Sequence, residues 1–149
     1  MSEDRHVVVR DIRRTDRAVL DQLGDAGVST VHEAQSRTGY LGPDIRPIQS
    51  GLRVAGNAVT VSSHPGDNIM IHAAIEVCRT GDILVVTNSG PSSHGMFGEL
   101  LATSLMARGV TGLVIDAGVR DVAELREMGF GVWSRYVSSQ GTVTETPGS

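Results

Sequence analysis

Residues 97–121 read FGELLATSLMARGVTGLVIDAGVRD, a stretch that predicts a helix followed by a strand. Arg108 and Gly109 close the helix in the order that is typical of a helix C-terminus. The apolar run 110–115 then has the length and composition of a strand. The apolar residues that recur at helical spacing are Met96 with Leu100, and Phe97 with Leu101 and Leu105. This stretch therefore predicts one half of a βαβ unit.

The same alternation of strands and helices continues on both sides of this stretch. The further predicted elements are helices at 16–23 and from Ser29 or Thr30 to Ala34, a strand at 52–61, a helix capped by Asp67, a strand at 83–86, a helix at 122–128 and a strand at 130–137. Strands that alternate with helices imply parallel pairing through right-handed crossovers. We therefore expect an α/β fold with βαβ units and a mostly parallel central sheet.

The size and charge of the chain limit its domain count and its partners. Its 149 residues are the usual size of one domain, which we expect to span 1–149 with a polar tail at 138–149. The formal net charge of -4 does not indicate a broad basic surface, so we expect no nucleic-acid partner. With 19 valines and five aromatic residues, the core must be aliphatic, which suits a β-rich or α/β packing.

The cysteine content and the hydropathy pattern indicate the compartment. Cys78 is the one cysteine and cannot form an intramolecular disulfide, which favours a reducing setting. The N-terminus MSEDRHVVVR is charged and has no apolar segment of a signal peptide after it. No run approaches the roughly 18 apolar residues that a membrane span requires. We therefore expect a cytoplasmic protein that does not contact a membrane.

Two loops after predicted strands are the candidate sites, because ligands of open α/β sheets bind where strands end and helices begin. The loop 87–95 is small and polar and precedes a helix whose first N–H groups attract anions. The second loop carries Arg120 beside Asp121. The planar guanidinium of an arginine can bind a carboxylate through two hydrogen bonds, and the carboxylate of an aspartate is a hard oxygen ligand for Mg²⁺ or Mn²⁺. The alternatives are a plain surface loop in the first case, and a helix cap with a surface ion pair in the second.

Three other motifs have simpler interpretations. His72 and Glu76 have metal-capable helical spacing, but without a third ligand they indicate a solvated pair. His94 lies in the polar loop and is a secondary candidate for ligand contact. Cys78 falls on the apolar face of its helix and is expected in the core rather than as a nucleophile.

Three blocks of sequence resemble one known family. They are GVSTVHEAQSRTG at 27–39, AGNAVTVSSHPGDNIMIHAAIEVCRTGDILVV at 55–86, and the stretch at 97–121. The chain resembles the 4-hydroxy-4-methyl-2-oxoglutarate aldolases and the wider RraA-like group, which includes the regulator of ribonuclease activity A. The most specific element is Glu99, followed after twenty residues by Arg120 and Asp121.

The resemblance implies a layered domain of the swivelling β/β/α type and a class II pyruvate aldolase. It implies that Asp121 ligates Mg²⁺ or Mn²⁺, that Arg120 contacts the substrate, and that Glu99 orients water on the metal. It further implies that the substrate carboxylate is held by backbone amides at the start of the helix, those of Gly98, Glu99, Leu100 and Leu101.

The implied reaction cleaves 4-hydroxy-4-methyl-2-oxoglutarate or 4-carboxy-4-hydroxy-2-oxoadipate to pyruvate and a second keto acid. All 13 basic residues counted as Lys or Arg are arginine, so this chain has no lysine for the Schiff base of a class I aldolase. Oxaloacetate decarboxylation passes through the same enolate and is an expected side activity. The alternative within the group is a non-catalytic regulator that binds a ribonuclease.

The resemblance also implies a homotrimer or a hexamer, with sites at subunit interfaces. The resemblance further implies that family aldolases continue beyond the point that corresponds to Ser149. We therefore expect this chain to lack the distal C-terminal segment that completes the site of a neighbouring subunit.

Overall fold

The computed structural model describes residues 6–148, which form five helices and six strands. In chain order the elements are α1 (Arg17–Ala26), α2 (Val28–Ala34), β1 (Arg46–Pro47), β2 (Asn57–Ser63), α3 (Ile69–Val77), β3 (Asp82–Asn88), β4 (Gly95–Phe97), α4 (Glu99–Ala107), β5 (Gly112–Val119), α5 (Val122–Glu127) and β6 (Gly131–Val137). From β2 onward, strands and helices alternate as the sequence predicts, except that the short strand β4 follows β3 without a helix between them.

The strands form one mixed sheet. Its order is β1-β6-β5-β3-β2, and β4 pairs with β5 outside this path. The strands β2, β3, β5 and β6 are parallel, whereas β1 runs antiparallel to β6. Because successive parallel strands advance in one direction, right-handed crossovers place α3, α4 and α5 on the same face. The fold class is therefore α/β, as predicted.

The core lies between this helical layer and the sheet. Leu84, Leu113 and Val132 are register neighbours on three adjacent strands, and none of them has exposed surface. On the opposite face, Val114 and Trp133 are neighbours and are only half-buried. The core is mostly aliphatic, as the composition predicts, and each buried branched side chain contributes roughly 1.5–3 kcal/mol to stability.

A buried ion pair fixes the segment before α1 to the sheet. Asp82, which has no exposed surface, accepts hydrogen bonds from Arg14 Nε at 2.9 Å and Arg14 Nη2 at 2.7 Å. The Arg79 N–H donates to the same carboxylate at 2.7 Å. Because the carboxylate is bound by several donors, its desolvation is offset by charge-assisted hydrogen bonds.

Two predicted elements begin later than expected. Met96 and Phe97 lie on β4 rather than in the helix, because this strand pairs beside β5 and α4 starts only at Glu99. Leu100, which was grouped with them, is 79% exposed and does not join the core. The predicted strand at 52–61 begins only at Asn57.

Two predicted helix starts also differ. Gly27 precedes α2, which begins at Val28 rather than behind Ser29 or Thr30. Asn68 occupies the position before α3, although the Asp67 carboxylate still accepts the Ile69 N–H at 3.0 Å. Within residues 6–148, no helix is long and apolar enough to cross a membrane.

Candidate active site

The two halves of the predicted site meet where β4 and β5 end. Phe97 and Val119 are register partners, and the Arg120 N–H donates to the Phe97 carbonyl at 2.9 Å. Both chains then turn into helices, α4 at Glu99 and α5 at Val122. Parallel pairing of these strands therefore places Gly98–Leu101 beside Arg120–Asp121.

Asp121 has an unusual backbone conformation and turns its side chain away from its own helix. Its φ of 54° and ψ of 41° lie in the left-handed region, which costs non-glycine residues energy but is tolerated best by Asp and Asn. The carboxylate makes no cap to α5. Instead, Asp121 Oδ2 accepts the Glu99 N–H at 3.0 Å, at the start of α4. The carboxylate therefore links two helix N-termini, where negative charge is favoured.

Gly98 makes this link possible. A Cβ at this position would overlap Asp121 Oδ2 and would lie 3.0 Å from Arg120 Cγ. The backbone at Gly98 is extended, with φ -157° and ψ -165°, so the requirement for glycine here is space rather than backbone freedom. The absent side chain lets α4 approach the carboxylate closely.

The charged side chains of the site face solvent. Arg120 Nε lies 3.8 Å from Asp121 Oδ2, and the two side chains are 46% and 39% exposed. An exposed pair at this distance contributes at most about 1 kcal/mol to stability. Glu99 is also exposed, one residue after Gly98. These groups are therefore accessible to a ligand from solution.

At the start of α4, one of the four predicted backbone donors is already engaged within the protein. The first intrahelical hydrogen bond runs from the Ala102 N–H to the Gly98 carbonyl at 3.1 Å. The Glu99 N–H already donates to Asp121, so it is not free for a substrate carboxylate. The N–H groups of Leu100 and Leu101 precede the first helical bond and make no hydrogen bond within the described part of the chain.

Asp121 fits an open site for a hard cation. Within residues 6–148, no group of three or more His, Cys, Asp or Glu side chains could hold a metal ion. Mg²⁺, however, is usually bound through one or two carboxylates while it keeps several waters. The Asp121 carboxylate is exposed, and only its Oδ2 atom is engaged by the protein. The donor set therefore suits hydrated Mg²⁺ or Mn²⁺ and not a closed structural metal site.

Hydrogen bonds to neighbouring segments hold the polar loop 87–95 in place. Asn88 Nδ2 donates to the Asp116 carbonyl at 2.9 Å. Ser92 Oγ accepts the Gly66 N–H at 3.3 Å and lies 3.4 Å from His94 Nδ1. These contacts favour a structural loop over a separate ligand site, and they hold the His94 ring against Gly66.

The remaining candidates have structural roles. His72 and Glu76 are both exposed, and Glu76 lies 3.8 Å from Arg10. Cys78 is 3% exposed, and burial, with a smaller contribution from the Asp82 charge, raises the pKa of its thiol to about 11. Cys78 therefore lies in the core, as predicted.

Sequence reasoning missed the contacts of the tail. Residues after β6 were expected to be a polar extension, but backbone N–H groups of Glu145 and Thr146 donate to the buried Asp67 carboxylate. The sequence predicts Asp67 only as a helix cap. The sequence shows only an acidic residue next to a glycine at this position, and that pattern does not predict a hydrogen bond to residues distant in the chain.

Comparison with known proteins identifies the group to which the chain is similar. A protein of Halalkalibacterium halodurans named "Putative 4-hydroxy-4-methyl-2-oxoglutarate aldolase" is 26% identical over 116 residues, covering 78% of this chain and 55% of the relative. A Burkholderia multivorans protein of the same name is 36% identical over 92 residues, covering 62% and 56%. The chain thus spans little more than half the length of these relatives.

A solved structure shows the same fold. Streptomyces coelicolor RraAS2, described as an unusual member of the RNase ES inhibitor RraA protein family, superposes with a TM-score of 0.71 at 26% identity, covering 86% of this chain and 68% of that one. The RraA-like family model, described as Aldolase/RraA, matches residues 8–149. The chain therefore belongs to the RraA-like family.

Proposed function

We propose that the chain is a divalent-metal-dependent carbon–carbon lyase, a class II pyruvate aldolase. Its proposed substrates are 4-hydroxy-4-methyl-2-oxoglutarate and 4-carboxy-4-hydroxy-2-oxoadipate, which it would cleave to pyruvate and a second keto acid. The observation that carries this proposal is the convergence of the Asp121 carboxylate, the Arg120 guanidinium and two unengaged N–H groups at the start of α4. The names of the relatives support the same class.

Asp121 would hold the cation, Mg²⁺ or Mn²⁺, through its exposed carboxylate. When bound, the cation supplies a Lewis acid that stabilises negative charge on the keto oxygen of the substrate. The N–H groups of Leu100 and Leu101 would bind the adjacent substrate carboxylate, because a helix N-terminus favours anions. Together these groups would fix the 2-oxo acid end of the substrate in one orientation.

Cleavage of the C3–C4 bond leaves its electron pair on the pyruvate half as an enolate, which then takes a proton from water at C3 to give pyruvate. The C4 hydroxyl loses its proton and becomes the carbonyl of the second keto acid. Arg120 would stabilise the developing negative charge, and Glu99 would orient the water that accepts the proton. Oxaloacetate decarboxylation yields the same enolate, so we expect it as a side activity.

A coupled assay for pyruvate release tests the proposal. Wild type with Mg²⁺ should release pyruvate from one of the two hydroxy-oxo acids, and EDTA should abolish the release. Arg120→Ala and Asp121→Ala should each lower the rate at least about 100-fold, as loss of one charge-stabilising group typically does. Glu127→Ala, which removes an exposed acidic side chain on α5, is the matched control. Wild-type turnover in both site variants would exclude this mechanism.

The second candidate function is regulation of a ribonuclease. It is favoured by the likeness to the S. coelicolor RNase ES inhibitor family. No pyruvate release, together with saturable inhibition of a ribonuclease E-type enzyme, would support this alternative over the lyase.

We also propose a homotrimer or hexamer in the cytoplasm. Among the described residues, α2 buries no side chain and α1 buries only Leu20, while Val28 is 88% exposed. Short helices of this kind gain most of their stability from packing, so a second copy is a suitable partner. Light scattering after size-exclusion chromatography should give the mass of three or six chains, and a monomer would contradict this proposal.

A further inference from the structure

The tail forms a strap across the carboxyl ends of the strands. We use the word strap for residues 138–146. At its near end, the Ser138 N–H donates to the Val119 carbonyl at 2.9 Å, directly before Arg120. The Gly95 N–H donates to the Gln140 carbonyl at 2.9 Å. The strap therefore holds the first residue of β4 and the last residue of β5, the two strands that lead into the candidate site.

Two glycines allow the strap to lie this close. Gly95 and Gly118 face each other in the β4–β5 pair. A Cβ on Gly95 would overlap the Ser138 carbonyl oxygen, and a Cβ on Gly118 would lie 2.7 Å from the His94 carbonyl oxygen and 3.0 Å from Ser138 Cβ. Three backbone segments therefore pack together beneath the site, which glycine alone permits.

The far end of the strap is held by one buried carboxylate. Asp67 is 3% exposed and accepts the N–H groups of Glu145 at 3.1 Å and Thr146 at 2.6 Å, besides that of Ile69. The Asn68 N–H donates to the Val143 carbonyl at 3.1 Å.

Two further bonds secure the same end. The Val143 N–H donates to the Gly66 carbonyl at 2.9 Å, and Thr144 Oγ1 donates to Asn68 Oδ1 at 2.8 Å. The strap is therefore attached at both ends, to β5 and to the turn before α3.

We propose that Asp67 is a positioning residue, which anchors the strap and through it fixes the start of β4 and the end of β5, the strand that leads into Arg120 and Asp121. The anchoring stands on the hydrogen bonds above, whereas its effect on catalysis rests on the proposed function. Asp67 itself lies on the turn before α3 and makes no hydrogen bond to any residue of the candidate site. Its role is to hold the strap in place.

The ionisation of Asp67 supports the anchor. Burial alone would raise the pKa of the carboxyl, but the N–H groups of Ile69, Thr146 and Glu145 outweigh burial and lower the pKa below its ordinary value of 3.8. A lowered pKa means that the anchor is complete above pH 3.8 and is lost as the pH falls through the lowered value.

Among the described residues, no other titratable side chain pairs with the Asp67 carboxylate. The titratable side chains on the surrounding elements are Glu145 on the strap, His64 on the preceding turn, His72 and Glu76 on α3, and His94 in the polar loop. In the described part of the chain, none of them forms an ion pair with Asp67.

Amide hydrogen exchange by NMR on the full chain tests the anchor. In Asp67→Asn, an NH₂ group replaces one acceptor oxygen, so the exchange rates at Glu145 and Thr146 should rise about tenfold or more, as expected for loss of charge-assisted bonds. Exchange at Leu84 and Leu113 in the central strands should stay unchanged. Glu145→Gln is the matched control, because it removes an exposed charge on the strap and keeps the backbone donor.

A titration distinguishes the anchor from a general packing role. In wild type, the amide chemical shifts of Glu145 and Thr146 should titrate with a pKa below 3.8, and in Asp67→Asn this titration should disappear. If Asp67→Asn does not fold, Thr146→Pro removes one donor N–H without altering the buried carboxylate, and it should raise exchange at Val143 and Glu145. Unchanged exchange along the strap in both variants would overturn the anchor.

Pyruvate release and Mn²⁺ affinity test the effect on the site. If the strap positions Arg120 and Asp121, Asp67→Asn should lower kcat/KM about tenfold and weaken Mn²⁺ binding, while Glu145→Gln leaves both unchanged. Faster strap exchange with unaltered Mn²⁺ affinity and kcat/KM would overturn the positioning role. An inactive wild type would overturn the proposed function and leave the exchange measurements to decide on the anchor.

Discussion

Substitution of Gly98 by alanine separates the geometry of the candidate site from the stability of the fold. The added Cβ would overlap Asp121 Oδ2, so the carboxylate has to move and lose the Glu99 N–H. The backbone at Gly98 is extended, so alanine introduces no strain of its own. The substitution therefore acts on the carboxylate that we propose to hold the cation.

The expected cost in stability is small. A hydrogen bond to a charged group is worth about 1.5–3 kcal/mol, but the Asp121 side chain is 39% exposed, so water replaces much of the lost bond. Replacing glycine with alanine also restricts the unfolded chain, which returns about 0.4–1 kcal/mol. We expect a net loss of about 1 kcal/mol or less, a shift of the melting temperature of roughly 4 °C at most.

The expected effect on activity is much larger. Displacement of a positioned group by about 1 Å typically costs about 100-fold in rate. Gly98→Ala should therefore lower Mg²⁺-dependent pyruvate release about 100-fold while the melting temperature stays near that of wild type. Gly90→Ala is the control, because its added Cβ would meet only Pro65 Cγ at an ordinary contact distance of 3.5 Å, and it should keep both properties. Full activity of Gly98→Ala, with a folded protein, would refute the proposed site geometry.

Two further predictions concern the core. Asp82→Ala leaves the Arg14 guanidinium, which is 15% exposed, without its partner, so the free energy of unfolding by urea should fall by about 3–5 kcal/mol; a loss below about 1 kcal/mol would contradict the ion pair. Cys78 has a thiol pKa raised to about 11 and is buried, so at pH 8 it should react with Ellman's reagent only after unfolding; rapid labelling of the native protein would contradict its placement in the core.

The alternation of strands and helices was predictable because each element repeats a simple apolar period. The strand β4 was not, since Met96 and Phe97 also fit the helical spacing of Leu100 and Leu101. Only pairing with β5, which depends on contacts distant in sequence, decides between the two. The exposure of Leu100 could not be predicted from helical spacing either, because it depends on the residue at which α4 begins.

The candidate site was predictable in membership but not in geometry. The resemblance pointed to Glu99, Arg120 and Asp121, and the structure places them together after β4 and β5, while their membership in a functional site stays a prediction. Residue spacing does not predict the left-handed backbone of Asp121 or the hydrogen bond that its carboxylate accepts from the Glu99 N–H. The contacts of the strap could not be predicted either, because Asp67 and Thr146 are 79 residues apart in the chain.

Titration with Mn²⁺, followed by paramagnetic relaxation of water protons, tests the central claim most directly. We predict one Mn²⁺ site per chain in wild type, tightened by pyruvate, because pyruvate and Asp121 would share the ion. Asp121→Asn tolerates the left-handed backbone and removes only the charge, so it should lose this site while the fold is retained. Equal Mn²⁺ binding by wild type and Asp121→Asn would contradict the claim that Asp121 holds the metal.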